Sequence, residues 1–204
     1  TFDGTFSLEI NNTSSPVNDT IQLGASSQSL VLPAGPFTRI SGSNVLLSIS
    51  GQTISGDFVA QEYTSDGESF VHLAATNAAL SLGDGANTIL SLANGTGTLL
   101  SHSHNGATGL AGTISGSVAV AVPGLALSGT LAVEFNQLGA AVARSLVVNG
   151  ETVEVDLPAG DFFTLTGTDL TLSVGDLFDL SGQFTFQQIG GEDPYLELGI
   201  ADAS

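Results

Sequence analysis

Seven acidic residues sit in or beside glycine-bearing turns: Asp66 and Glu68 around Gly67, Asp84 between Gly83 and Gly85, Asp176 and Asp179 after Gly175, and Glu192 and Asp193 after Gly190-Gly191. Calcium takes six to eight oxygens from carboxylates and backbone carbonyls, and turns of this kind supply both. These seven are the candidate Ca2+ ligands, with Ca2+ the only cofactor the sequence suggests. Their spacing matches neither an EF-hand loop nor a glycine-rich nonapeptide, and Asp-Gly is also an ordinary turn dipeptide. His102-Ser103-His104 is the only histidine pair. On a strand, alternate residues share a face, so both imidazoles could reach one metal. The following Asn105-Gly106 makes an exposed turn the simpler reading.

Catalysis finds little to work with. A glycan-hydrolysing carboxylate pair needs two acids about 5–10 Å apart; Glu9 with Glu62, or Asp57 with Glu62, are the pairs that can be written. No nucleophile elbow, phosphate loop or dinucleotide fingerprint occurs. The chain is therefore read as having no catalytic residues. Arg39 and Arg144 are the only cations against 20 acids. Each is expected to find a carboxylate at the surface, a pairing worth only ~0–1 kcal/mol. The net charge of −18 disfavours nucleic acid and anionic membranes, which are bound through clustered Lys and Arg. It suits divalent cations and salty surroundings that screen self-repulsion. Sequons at Asn11, Asn12, Asn18 and Asn94 arise easily in a chain so rich in Asn, Ser and Thr.

The elements that must position these groups are strands. Phe6, Leu8 and Ile10 alternate with polar neighbours, as do Leu131, Val133 and Phe135, and period-two alternation marks a strand with one buried face. Asn149-Gly150 between two β-branched runs predicts a type I′ hairpin, and Gly24-Ala25 a type II′ one. Pro123-Gly124 suits a type II turn. Ser65–Glu68, Gly83–Gly85, Asn94-Gly95 and Asn105-Gly106 are expected to be further reversals. Such closely spaced turns predict many short strands.

The chain also repeats itself. Residues 129–162 match residues 4–37 with a constant shift of 125, from Gly129 on Gly4 to Pro158 on Pro33. Beyond the shared Leu-Pro-Ala-Gly corner, Phe58 matches Phe184 and Phe70 matches Tyr195 with about one residue of slippage. Fixed-period similarity signals repeat architecture. The expected organisation is a first β repeat over 1–125 and a partial second copy over 126–204, packed continuously on it. Each corner should be a sharp bend, because Pro lacks the N–H of a ladder, with Phe37 or Phe162 plugging the core behind it. Ser-Gly pairs at 55–56, 115–116, 128–129 and 181–182 should be bends or bulges where long strands start or cross an edge. Glu9 and Glu134, Asn11 and Asn136, and Gln61 and Gln187 are the polar matches, expected on a solvated face. Asp57, Glu62 and His72 change identity, to Gln183, Gln188 and Glu197.

The expected fold is all-β: mainly antiparallel stacked sheets, as an elongated sandwich or flattened roll, built from this repeat of ~125 residues. A β-solenoid is the alternative, for which residues 76–114, with their LSLGDG, LSLANG and LLSHSHNG segments, leave room. The chain has no Cys, Met or Trp, no run of the ~20 apolar residues that a membrane span needs, and no secretory leader, as expected of a segment from within a longer protein. An acidic, Cys-free, Gly/Ser/Thr-rich β repeat of this period resembles the tandem arrays of very large secreted bacterial surface proteins such as adhesins. The resemblance implies an extracellular, structural or fibre-forming segment. Its partners would be neighbouring repeats or other copies, divalent cations or surface glycans. A calcium- or carbohydrate-binding module is the alternative, and a glycan hydrolase a further one.

Overall fold

The computed structural model describes residues 1–49, 52–65, 68–83, 87–104, 107–190 and 194–204. The protein is all-β, with no helix among the described residues, and so none among them that is long and apolar enough to cross a membrane. The strands are β1 (Phe2–Asn11), β2 (Val17–Leu23), β3 (Ser26–Leu32), β4 (Phe37–Ile49), β5 (Gln52–Ser65), β6 (Glu68–Gly83), β7 (Thr88–His104), β8 (Ala107–Val122), β9 (Leu125–Asn136), β10 (Val142–Val148), β11 (Glu151–Leu157), β12 (Phe162–Val174), β13 (Phe178–Ile189) and β14 (Tyr195–Ala201).

Ten of them form one open antiparallel sheet in the order β1-β4-β5-β6-β7-β8-β9-β12-β13-β14. The remaining four form two hairpins, β2–β3 and β10–β11, inserted where the chain leaves β1 and β9. Every pairing among the described residues is antiparallel, so the parallel coils of a solenoid do not form. Residues 76–114 run instead through β6, β7 and β8, the longest strands, of 16, 17 and 16 residues.

The turns at Asn149-Gly150, Gly24-Ala25 and Pro123-Gly124 follow their sequence signals, while the central residues of the expected reversals at Ser65–Glu68, Gly83–Gly85 and Asn105-Gly106 lie outside the described residues. Asn149 and Gly150 have φ of 48° and 86°, the two positive values a type I′ turn demands. Gly24 has φ of 65° without a positive value at Ala25, as in type II′, and Gly124 has φ of 81° after Pro123. Asn94-Gly95 is an exception. It lies in the middle of β7, and Asn94 takes φ of 53° to make a bulge. Left-handed Asn serves a bulge as well as it serves a turn, so the dipeptide alone does not say which.

This bulge is one of a line. Register shifts occur at Asp3/Thr5, Gly42/Val45, Ser55/Asp57, Ala75/Ala78, Ala93/Thr96 and Thr168/Thr171. At them sit Asn44, Asn77 and Asp169, each with φ of 52°. Gly56 (φ 152°) and Gly129 (φ 150°) belong to the same line, which places those two Ser-Gly pairs inside strands and not at their starts. Each bulge bends its strand and increases the local twist, so a crease crosses the sheet.

The two faces differ. On one, directly paired residues give a row running from Phe6 and Phe58 through Ile114, Val133 and Leu165 to Phe186 and Leu198. A second row runs beside it from Leu8 and Ile40 through Leu73 and Leu99 to Phe135 and Leu196. None of the described residues covers this face: Leu8 is 61% exposed, Ile114 53% and Leu198 63%. Large rings lie over small neighbours here. A Cβ at Gly42 would collide with the Phe58 ring, and one at Gly167 with Phe184.

The opposite face carries the core. The β10–β11 hairpin lies back across β5 to β9. Its Leu146, Val148 and Val153 bury Val59 and Ala74, while Val142, Val155 and Leu157 pack on Phe70, Leu100, Ala111 and Phe162. The hairpin strands alternate accordingly, with Val153, Val155 and Leu157 inward and Thr152, Glu154 and Asp156 outward. The β2–β3 hairpin meets the sheet along β1 and has no substantial contact beyond it. Six of the seven β2 residues are exposed. Behind the corners, Phe37 and Phe162 are buried as expected, and the Arg39 guanidinium lies 5.3 Å over the Phe37 ring.

Candidate functional site

Four polar clusters stand on or beside the hairpin-covered face. The first is a pair of matching clamps. Asn11 and Asn136 were expected on a solvated face; they are 4% and 0% exposed. Asn136 Nδ2 donates to the carbonyls of Ala140 and Pro158, each at 2.8 Å, and Oδ1 accepts the Leu138 N–H at 2.9 Å. Asn11 repeats this with Ser15 at 3.0 Å, Pro33 at 2.6 Å and the Thr13 N–H at 2.9 Å. One amide thus ties the end of a strand to both arms of the loop leading into and out of each hairpin. Position within an alternating strand did not reveal this, because the strand ends where the chain lifts off the sheet and covers its own last residue. Asn136→Ala strands buried carbonyls and an N–H, each worth about 1–3 kcal/mol. We expect a drop of that size or more in denaturant unfolding free energy; a change within error would show that water replaces the amide.

The second cluster surrounds Asp57, on β5 at the crease. Its Oδ1 accepts the Asn44 backbone N–H at 2.7 Å, and its Oδ2 accepts the Asn77 side chain at 3.0 Å and the Asn149 side chain at 3.3 Å. The Asn44 N–H and the Asn77 amide hold its carboxyl below the usual carboxylate range, while burial pushes the other way. One carboxylate therefore pins two bulges and the tip of the β10–β11 hairpin. At the positions matched in sequence the pair is inverted: Gln183 Nε2 donates to Asp202 Oδ2 at 3.1 Å. Acid and amide have exchanged strands, since Gln183 answers Asp57 and Asp202 answers Asn77. The change of identity from Asp57 to Gln183 is thus accompanied by a change from Asn77 to Asp202 on the paired strand.

The third is His72, 2% exposed beneath the hairpin. Its Nε2 lies 2.8 Å from Thr98 Oγ1, and that hydroxyl donates to the Leu73 carbonyl at 3.0 Å. The hydroxyl has given its only proton away, so it accepts from His72 Nε2–H, which fixes the tautomer. Burial, with the Arg144 charge adding to it, lowers the His72 pKa to about 4.

The fourth is an aromatic stack across β5, β6 and β7. Tyr63 lies on Phe70 at 5.1 Å and Phe70 on His102 at 4.5 Å, with rings within 11° of parallel. His102 Nε2 meets Glu68 Oε2 at 2.7 Å. The inner ring faces are taken by one another, so the stack serves the core more than it offers a flat platform.

Of the candidate Ca2+ ligands, Asp66, Asp84, Glu192 and Asp193 lie outside the described residues, and so does the His104 side chain. Glu68 is held by His102. Asp176 and Asp179 are exposed at and after the β12–β13 turn. Among the described residues no group of three or more His, Asp or Glu is close enough to hold a metal. The written carboxylate pairs are not brought together either. Glu9 shares a row with Arg39 and Gln61, while Glu62 shares one with Thr38 and Val71 on the other face. Asp57 and Glu62 are likewise on opposite faces, so the sheet stands between the members of each pair. Arg39 does find Glu9, at 3.2 Å, and also donates to Gln61 Oε1 at 2.8 Å. Arg144 donates to the Ala143 carbonyl and makes no ion pair among the described residues.

An apolar concavity of about 340 Å³ lies on the uncovered face among Phe58, Leu73, Leu92, Leu99 and Ile114. A second, of about 460 Å³, opens beside Phe135, Asp161, Phe163 and Gln188. Neither is lined by a converging set of titratable groups. Compared with protein-family models, curated proteins and solved structures, the chain matches none of them.

Proposed function

We propose that this chain is an architectural segment of an extracellular surface, adhesin or fibre-forming protein, supplying length and stiffness and performing no catalysis. The observation that carries the reading is the repeated layout within one sheet. The clamp at Asn11 and the clamp at Asn136, each opening a hairpin, sit 125 residues apart in a single continuous ladder. Units of this kind lengthen the sheet sideways as they are added, and stacked units build extent while sharing a core. The polar clusters fit the same role, since three of the four tie strands, loops and hairpin to one another. An acidic, cation-poor surface keeps such a body soluble and apart from its neighbours at low salt.

Small-angle scattering on this chain, and on versions with one and two further units of 125 residues, tests the reading. The longest dimension should rise linearly with the number of units. A dimension that barely changes would overturn it.

A further inference from the structure

The tip of the β10–β11 hairpin is built as a modification site: we propose that Asn149 deamidates spontaneously through its neighbour Gly150, and that the change turns the tie between this tip and Asp57 into a repulsion that loosens the hairpin. The chemistry needs only water. The Gly150 backbone nitrogen gives up its proton and bonds to Asn149 Cγ. The Cγ–Nδ2 bond breaks, and the side-chain nitrogen leaves as ammonia with that proton, closing a five-membered succinimide. Water then adds to one of the two ring carbonyl carbons and reopens the ring. Attack at Cγ leaves an aspartate at position 149; attack at the main-chain carbonyl carbon leaves an isoaspartate, which lengthens the backbone by one carbon. Nothing is oxidised or reduced.

The fold opens this route at one Asn-Gly pair and obstructs it at another. Asn149 and Gly150 are both exposed. The hairpin ladder ends with Val148 opposite Glu151, so the two-residue turn leaves the Gly150 N–H outside it. A Cβ at Gly150 would meet nothing within 4 Å, which leaves room for the ring and for water. Asn94-Gly95 lies inside β7, where Gly95 is buried and paired with Ala78. A Cβ there would stand 2.9 Å from the Ala78 carbonyl oxygen. Reaction at Asn94 must wait for the longest strands to open locally. Asp57 gives the reaction at Asn149 its consequence. The Asn149 amide donates to Asp57 Oδ2 at 3.3 Å. After deamidation a second carboxylate stands there, facing an Asp57 that is 5% exposed and still held ionised by the Asn44 N–H and the Asn77 amide. Two carboxylates in one site repel, and the exposed Glu151 beside them adds a third negative charge. An isoaspartate also destroys the turn, whose φ values of 48° and 86° suit an ordinary backbone alone. The loosened tip carries Val148 and Leu146, both buried against Val59 and Ala74.

Ageing the full chain in mildly alkaline buffer, followed by peptide mapping in a mass spectrometer, reads each site by the mass gain of an amide-to-acid exchange. In the chain unfolded by urea, Asn94 and Asn149 should react at similar rates. In the folded chain Asn149 should react at least about tenfold faster than Asn94. The aged protein and Asn149→Asp should both melt below Asn149→Gly, which removes the amide without adding a charge and keeps a residue suited to the turn. In Asp57→Asn/Asn149→Asp, which exchanges acid and amide, the losses should be less than the sum of the two single losses, the mark of a direct coupling. Equal rates at the two sites in the folded chain, or an inert Asn149 in folded protein whose unfolded form reacts, would overturn the site. Asn149→Asp melting together with Asn149→Gly, or additive losses in the double variant, would overturn the part given to Asp57.

Discussion

Leu146→Ala is expected to lower the unfolding free energy of the monomer by about 2–5 kcal/mol, and Ile21→Ala, 125 residues earlier, by less than about 0.5 kcal/mol. The two positions carry similar side chains at matching places in matching hairpins. Leu146 is 6% exposed, packed against Val59, Ala74, Val148 and Val153. Removing it leaves a cavity beneath a hairpin held by clamps at its base and by Asn149 at its tip, so the site collapses poorly. Ile21 is half exposed and covers no sheet. Chemical denaturation at low protein concentration, where copies do not meet, measures both. Equal losses would mean that the first hairpin is seated as the second is, and the description of β2–β3 as projecting would fall.

The second large effect is acid sensitivity through His72. Its folded pKa, about 4, lies below the ordinary unfolded value of ~6.5. The unfolded chain therefore binds the proton first. Stability from this residue is complete above pH ~6.5 and falls as the pH drops toward about 4, by about 3 kcal/mol in all. Protonation would place a charge beneath the hairpin where the Nε2–H is already committed to Thr98. Asp57 acts in the same direction at lower pH, because its folded pKa is also lowered and its contribution fades as the carboxylate is protonated. His72→Gln removes the titrating group. The difference in unfolding free energy between wild type and His72→Gln should change by about 3 kcal/mol from pH 7 to pH 4. A constant difference would show that the imidazole is hydrated in the folded protein.

The strands and most hairpin turns were legible because each is a local matter. Alternation at Phe6, Leu8 and Ile10 names a strand, and Asn149-Gly150 names a reversal, without reference to anything distant. What covers each face was not legible. The row from Phe6 to Leu198 alternates just as the buried row of a sandwich does, yet none of the described residues covers it, while the core forms on the side holding His72 and Thr98. Hairpin placement decides this, and placement depends on contacts many strands apart. The polar clusters show the same limit. Asn11 and Asn136 matched between copies, but their burial follows from the loop folding back over them. Asp57 and Gln183 differed, and only the partner strands reveal that Asn77 and Asp202 differ with them. Asn94-Gly95 was misplaced as a reversal because left-handed asparagine serves turns and bulges alike.

The order of strands also determines how the molecule responds to being pulled. β1 and β14 stand on opposite edges and run in opposite directions, so Thr1 and Ser204 emerge at the same end of the sheet, with the edge strands nine spacings of about 4.8 Å apart along it. Tension applied through the termini acts across the strands, along the hydrogen bonds of the outermost ladders, and opens them one pair at a time. The protein would therefore yield by peeling from its edges and not by a single rupture. Each strand lost releases slack of known length, and the hairpin-covered centre, β5 to β9, gives way last. A sheet pulled in this way would lengthen from its edges while keeping the nucleus from which it can re-form.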